Sequence, residues 1–241
     1  TNSGNFTIDT VRPTATVVVA DTALKIGDTS QVTITFSEAV SGFTNADLTV
    51  ANGTLSAVSS SDGGMTWTAT FTPASAISDT SNVITLDNSG VQNGSGNAGS
   101  GSTDSNNYVV ETQRPTATIA VANGTLGIGQ TTTVTITFSE VVSGFDLSDL
   151  SVANGVLSNL ASSDGGKTWT ATLTPTAAIT DATNVIMLDT SQVNDAVGNA
   201  GSSIAISNNY AINTSALTGD PLFRVTDPAP PPLGAPDIPL Q

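Results

Sequence analysis

Glu38, Asp47 and Asp87 recur 102 residues further along as Glu140, Asp149 and Asp189. Asp9 recurs as Glu111, and Asn93 recurs as Asp195. Carboxylates with amide and loop carbonyl oxygens nearby are hard ligands. The chemistry open to them is the holding of calcium, which takes about six to eight oxygens. Other chemistries are closed. The chain has no His and no Cys, so the usual general base, the usual transition-metal ligand and all thiol chemistry are missing. A pair of carboxylates could still act as a glycosidase pair. That reading requires duplicated active sites at the ends of two modules, which argues against it.

The elements that position these groups come in two copies. Arg12-Pro13-Thr14-Ala15-Thr16 returns as Arg114-Pro115-Thr116-Ala117-Thr118, and Phe36-Ser37-Glu38 returns as Phe138-Ser139-Glu140. Asp62-Gly63-Gly64, Trp67 and Pro73 return as Asp164-Gly165-Gly166, Trp169 and Pro175. A period of 102 residues is a whole domain rather than a solenoid turn. The expected division is residues 1–10 as the last strand of a preceding copy, 11–112 as repeat 1, 113–214 as repeat 2 and 215–241 as a Pro-rich tail. Residues 1–12 align with 103–114, which is why the chain is read as opening inside an upstream copy. The stub is expected to stay out of the first core, with Phe6 and Ile8 unburied there. The tail reads as an extended spacer.

Within a copy the patterns are strands and turns. Thr14 to Ala20 is a β-branched run. Gln31 to Ser37 alternates Val32, Ile34 and Phe36 with Thr33, Thr35 and Ser37, the pattern of a half-buried strand. Further strands are expected at 47–51, 55–59, 65–72, 82–86 and 107–110. Residues 22–28 read as a turn, and Asn52-Gly53 as a tight turn. Asp62 and Asp164 read as turn residues, and Trp67 and Trp169 as core. About seven short antiparallel strands over some 100 residues predict an all-β fold, two tandem immunoglobulin-like sandwiches.

That topology brings the carboxylates to one pole of each domain. Asp9, Glu38, Asp47 and Asp87 are expected together with Asn93 and Asn97. Glu111, Glu140, Asp149, Asp189 and Asp195 are expected together with Asn199. Two bare carboxylates about 5 Å apart repel by roughly 3 kcal/mol at an effective dielectric near 20, so clustering them favours a cation. With 20 acidic and 5 basic residues the net charge is −15. Nucleic acid and anionic membrane surfaces are therefore poor partners. No apolar run is long enough to insert in a membrane.

The run RPTAT, then FSE and SGF, then SSDGG and TWTAT, and finally GNAG and NNY resembles the bacterial Ig-like repeats of giant surface adhesins and biofilm-associated proteins, many similar to RTX adhesins. The resemblance covers residues 9–214. It implies a non-enzymatic extender at the bacterial cell surface, projecting a remote binding domain for adhesion or biofilm formation. It also implies calcium (Ca2+) at the domain junctions and neighbouring repeats as partners. A carbohydrate-binding module and an accessory region of a secreted enzyme remain the alternatives.

Overall fold

A computed structural model describes residues 4, 5 and 7–216. Phe6 and the tail from residue 217 onward lie outside the described residues. Ile8 is 73% exposed.

Each copy folds as two packed β-layers. In the first copy one layer joins Ala15–Val19, Ser30–Phe36, Thr66–Pro73 and Gly53–Leu55 in that order, with Ser59–Ser60 also on Thr66–Pro73. The facing layer has two sections. Ser102–Asp104, Ile84–Asp87 and Leu48–Val50 form one, and Ala23–Lys25, Tyr108–Glu111 and Ser78–Asn82 form the other. Alternation decides which side chains turn inward. Val32, Ile34, Phe36 and Phe71 from the first layer meet Ile84, Leu86, Tyr108 and Val110 from the second, all buried. The second copy builds a separate core from the same positions, among them Val134, Ile136, Phe138, Leu173, Ile186, Leu188, Tyr210 and Ile212.

Several sequence expectations need correcting. Residues 22–28 hold a strand, Ala23–Lys25, which pairs in parallel with Tyr108–Glu111. Three residues are too few to show a period, and the partner is far along the chain. Asn52-Gly53 is a turn, as expected, but it joins opposite layers, since Leu48–Val50 and Gly53–Leu55 pair with different sheets. Asn52 is left-handed (φ 53°), and its amide donates to Asp79 and Asn82. The expected seven strands divide further, since the runs near residues 82 and 105 bend between the two sections of the second layer. Among the described residues four short 3₁₀ turns also appear, at Asn45–Asp47, Asn88–Gly90, Leu147–Asp149 and Thr190–Gln192.

The copies protect their outer edge strand differently. In the first, the Asn45 amide donates to the Ser56 carbonyl (2.9 Å) and accepts from the Val58 N–H (2.9 Å). The second has Leu147 at that position, and its strand Gly155–Ser162 carries a register shift with Asn159 at φ 55°. A side-chain plug and a bulge both discourage edge-to-edge pairing.

Trp67 and Trp169 are half-buried, edge-on to Phe43 and Phe145. Their indole N–H groups donate to the Gly64 and Gly166 carbonyls. Asp62 and Asp164 organise the turns that place those carbonyls. Asp164 Oδ1 accepts from the N–H groups of Lys167 and Thr168 and from the Ser162 hydroxyl. Such bonds, led by the backbone N–H of Thr66 and of Thr168, hold both carboxyls down at about 2.

One buried side-chain polar atom among the described residues is unpaired. Asn88 is buried, and its Oδ1 has no partner. The second copy has Thr190 there, whose hydroxyl donates to the Ser203 carbonyl and accepts its N–H. Asn88→Thr removes an orphan acceptor that costs about 1–3 kcal/mol. The first domain should gain about 1 kcal/mol, a rise of roughly 4–8 °C in its melting temperature by calorimetry. An unchanged or lowered value would show that the amide has another role.

Candidate functional site

The loop 193–201 of the second domain lies where the two domains meet. Asp195 begins a tight turn inside it. Its Oδ1 accepts from the N–H groups of Val197 (3.0 Å) and Asn199 (2.7 Å), and its Oδ2 from the Asn199 amide (2.8 Å). Asp195 and Asn199 are both 3% exposed. With its turn fixed, Asn199 reaches across the junction. Its amide donates to the Glu111 carbonyl (2.9 Å), and its Oδ1 accepts the Ile26 N–H of the first domain (2.9 Å). Lys25 donates to the Val197 carbonyl (3.3 Å), and Arg114 to the Ala200 carbonyl (2.6 Å).

Glu140 stands against this loop. Burial first, and then the charges of Asp195 and Glu111, push its carboxyl above the usual range. Glu140 thus feels two other negative charges at the junction. The equivalent pole of the first domain differs at two positions, with Asp9 in place of Glu111 and an amide in place of the Asp195 carboxylate. Asn93 stands where Asp195 stands, and its amide donates to Asp9 Oδ2 (3.0 Å), the Val11 carbonyl (3.1 Å) and Glu38 Oε2 (3.1 Å). The Asn97 amide donates to the Asp9 carbonyl, and Arg12 to the Ala98 carbonyl. Two carboxylates are therefore bridged by an amide at one pole, whereas an added carboxylate crowds two others at the next.

The remaining candidates have separate tasks. Asp47 and Asp149 close capping boxes on the turns Asn45–Asp47 and Leu147–Asp149. Asp87 and Asp189 cap Asn88–Gly90 and Thr190–Gln192 through Ser89 and Ser191. Their carboxyls are lowered by those serine bonds. No hydrogen bond among the described residues joins these four to Asp9, Glu38, Glu111, Glu140 or Asp195. The structure therefore brings together Glu111, Glu140 and Asp195 in one place and Asp9, Glu38 and Asn93 in the other.

Among the described residues, no three His, Cys, Asp or Glu side chains are placed to hold a metal by themselves. A cation at the junction would need carbonyl oxygens and water beside the carboxylates, a mixed shell that calcium accepts. Lys25 and Ile26 are junction residues that sequence reasoning missed. The available signal was that Lys25 has no basic counterpart, since Gly127 takes its place in the second copy.

A family model described as a bacterial Ig-like domain matches residues 9–110 and again residues 111–212. No curated protein matches the chain. Among solved structures, the FdeC adhesin of Escherichia coli is 14% identical, with a TM-score of 0.32 over 84% of this chain and 64% of that one. The I9-I11 tandem of titin is 8% identical, with a TM-score of 0.27 over 83% of this chain and 65% of that one. Murine CEACAM1b is 11% identical, with a TM-score of 0.30 over 83% of this chain and 99% of that one. The chain thus spans just under two thirds of the first two. No helix among the described residues is long and apolar enough to cross a membrane.

Proposed function

The chain belongs to the bacterial Ig-like domain family, and from that premise we propose that it is a non-catalytic extender of a bacterial cell-surface adhesin. It holds a remote binding domain away from the cell for adhesion or biofilm formation, and calcium stiffens its junction. The observation that carries this reading is the junction itself. Two separate cores are joined by a loop that hydrogen-bonds the linker and the neighbouring domain together, and crowded carboxylates lie beside it.

Glu111, Glu140 and Asp195 would hold the ion, with loop carbonyls and water completing its shell. The ion would add positive charge beside the crowded carboxylates. Extracellular modules bind calcium with dissociation constants of about 10⁻⁴–10⁻³ M. At roughly 10 mM calcium, one such site adds about 1.4–2.7 kcal/mol.

The expected result is a rise in the second domain's melting temperature with calcium relative to chelator, and a smaller response of the first. Glu140→Gln removes most of that gain. In chelator it leaves stability unchanged or slightly raised, because a carboxyl raised in the folded state relieves strain on losing its charge. Asn93→Asp gives the first domain the same crowding, so its stability falls in chelator and becomes calcium-responsive. Equal melting temperatures with calcium and chelator, for both the parent and Asn93→Asp, would overturn the calcium reading.

A further inference from the structure

Four Asn-Gly steps occur in the chain, at Asn52-Gly53, Asn93-Gly94, Asn123-Gly124 and Asn154-Gly155. Such a step can react with itself. Glycine has no Cβ to shield its peptide nitrogen, and its backbone turns freely. The nitrogen can then reach the side-chain carbonyl carbon of the asparagine before it. What holds the two residues decides whether it does, and the four steps are held differently.

Three are fastened. The Asn52 amide donates to Asp79 (2.8 Å) and Asn82 (2.7 Å), and the Asn154 amide to Asp181 (2.9 Å) and Asn184 (2.8 Å). The backbone carbonyls of Asn52 and Asn154 accept the Ala74 and Thr176 N–H groups. Gly53 is packed on the Phe71 ring and Gly155 on Leu173. Asn93 is buried. Its amide nitrogen makes three hydrogen bonds, and its side-chain oxygen accepts two more, from the Ser95 and Asn97 N–H groups.

Asn123-Gly124 is open, and both residues are exposed. The Asn123 side-chain oxygen accepts the Thr125 N–H (3.1 Å). Its amide nitrogen has no hydrogen-bond partner among the described residues. The Gly124 N–H has none there either. A Cβ on Gly124 would meet nothing closer than the Asn209 carbonyl oxygen at 3.8 Å. The Thr125 N–H thus supports the oxygen on which negative charge develops during attack, and the departing nitrogen is unrestrained.

We propose that Asn123 is a site of spontaneous deamidation in the folded protein, and that the fold protects the other three steps. The Gly124 nitrogen loses its proton to solvent base and attacks Asn123 Cγ. A new C–N bond forms, the bond from Cγ to Nδ2 breaks, and Nδ2 leaves with a proton as ammonia. Water then opens the cyclic imide at either carbonyl. One opening yields aspartate, the residue that the first domain carries there as Asp21, accepting the Ala23 N–H. The other yields isoaspartate, whose extra main-chain methylene sits at the head of Thr125–Gly127, the strand paired in parallel with Tyr210–Asn213. Water is the only co-reactant, and the net change exchanges an amide NH2 for a hydroxyl that ionises. The proposal does not depend on the extender reading or on calcium.

The test incubates the full chain at about pH 8.5, where solvent base is more abundant, once folded and once in urea. Samples taken over time are digested and mapped by mass spectrometry, with Asn123→Asp as the marker for the aspartyl product. In urea all four steps should react at similar rates. In the folded chain Asn123 should stay close to its rate in urea. The other three should slow by about tenfold or more, because each must first release two or more hydrogen bonds. Gly124→Ala, for which there is room, should slow the reaction at Asn123 several-fold. Folded Asn123 reacting no faster than the other three would overturn the proposal. So would an undiminished rate in Gly124→Ala, which would mean that the backbone nitrogen is not the attacking group.

Discussion

Phe71→Ala is expected to lower the stability of the first domain by about 3–5 kcal/mol and to leave the second domain's melting unchanged. Phe71 is fully buried. Its ring lies edge-on to Tyr108 at 5.0 Å, the contact that joins the two layers at the centre of the sandwich. Gly53 lies directly over it, and a Cβ there would run into the ring. With backbone against one side and Tyr108 against the other, the site cannot collapse to fill the void, which places the loss high in the usual range for Phe to Ala. Tyr108 is itself held, since its hydroxyl donates to the Ala51 carbonyl (2.7 Å). Burial, with Asp79 second, pushes that hydroxyl up to about 12. Calorimetry should resolve two transitions, with one displaced by the substitution. A single transition that moves as a whole would show that the domains unfold together and would overturn the independence of the two cores.

Gly64→Ala should cost about 3 kcal/mol, roughly 1–2 of it from backbone conformation and the rest from a clash. Gly64 has φ 101°, where side chains are strained, and a Cβ there would come within 2.5 Å of the Val40 carbonyl oxygen. Backbone cannot yield as a side chain would. The same glycine supplies the carbonyl that accepts from Val40 (3.0 Å) and from the Trp67 indole (3.1 Å), so a shift there also loosens Trp67 from Phe43. Gly63→Ala is the matched control. Its φ is 83°, yet its Cβ would meet nothing within 4 Å. Urea denaturation of the two variants separates the terms, with Gly63→Ala losing about 1 kcal/mol. Equal losses would mean that the loop moves aside and that the clash is not real.

The sandwich could be read from the sequence because inward and outward residues alternate along 31–37 and 65–72, and because every such feature occurs twice. The Ala23–Lys25 strand could not be read, since its parallel pairing exists only once the last strand of the domain arrives. The turn at Asn52-Gly53 could be read, but what it connects could not. A left-handed Asn followed by Gly marks a reversal in many hairpins, but here the Asn amide is fastened to Asp79 and Asn82, and the chain crosses between layers. The carboxylate poles were half legible. Strand direction carries Asp47 and Asp87 toward the correct end, yet their short spacing to Thr44 and Ser89 commits them to capping local turns. The difference between Asn93 and Asp195 is plain in the sequence. Its meaning depends on the neighbours of that position, Asp9 with Glu38 and Glu111 with Glu140, which only the fold supplies.

The parallel pairing of Ala23–Lys25 with Tyr108–Glu111 has a mechanical consequence. The chain enters the first domain beside Asn97 and leaves it at Glu111, next to Lys25. A pull on the two ends therefore loads that ladder along its length. Its bonds must slide past one another together rather than break singly in turn. While the patch holds, tension passes through the domain without lengthening it. Once it gives way, about 100 residues become available, each contributing up to roughly 3.4 Å. With separate cores on either side of the junction, that slack is released in two increments. A tether of this kind meets a sudden tug by letting out length domain by domain.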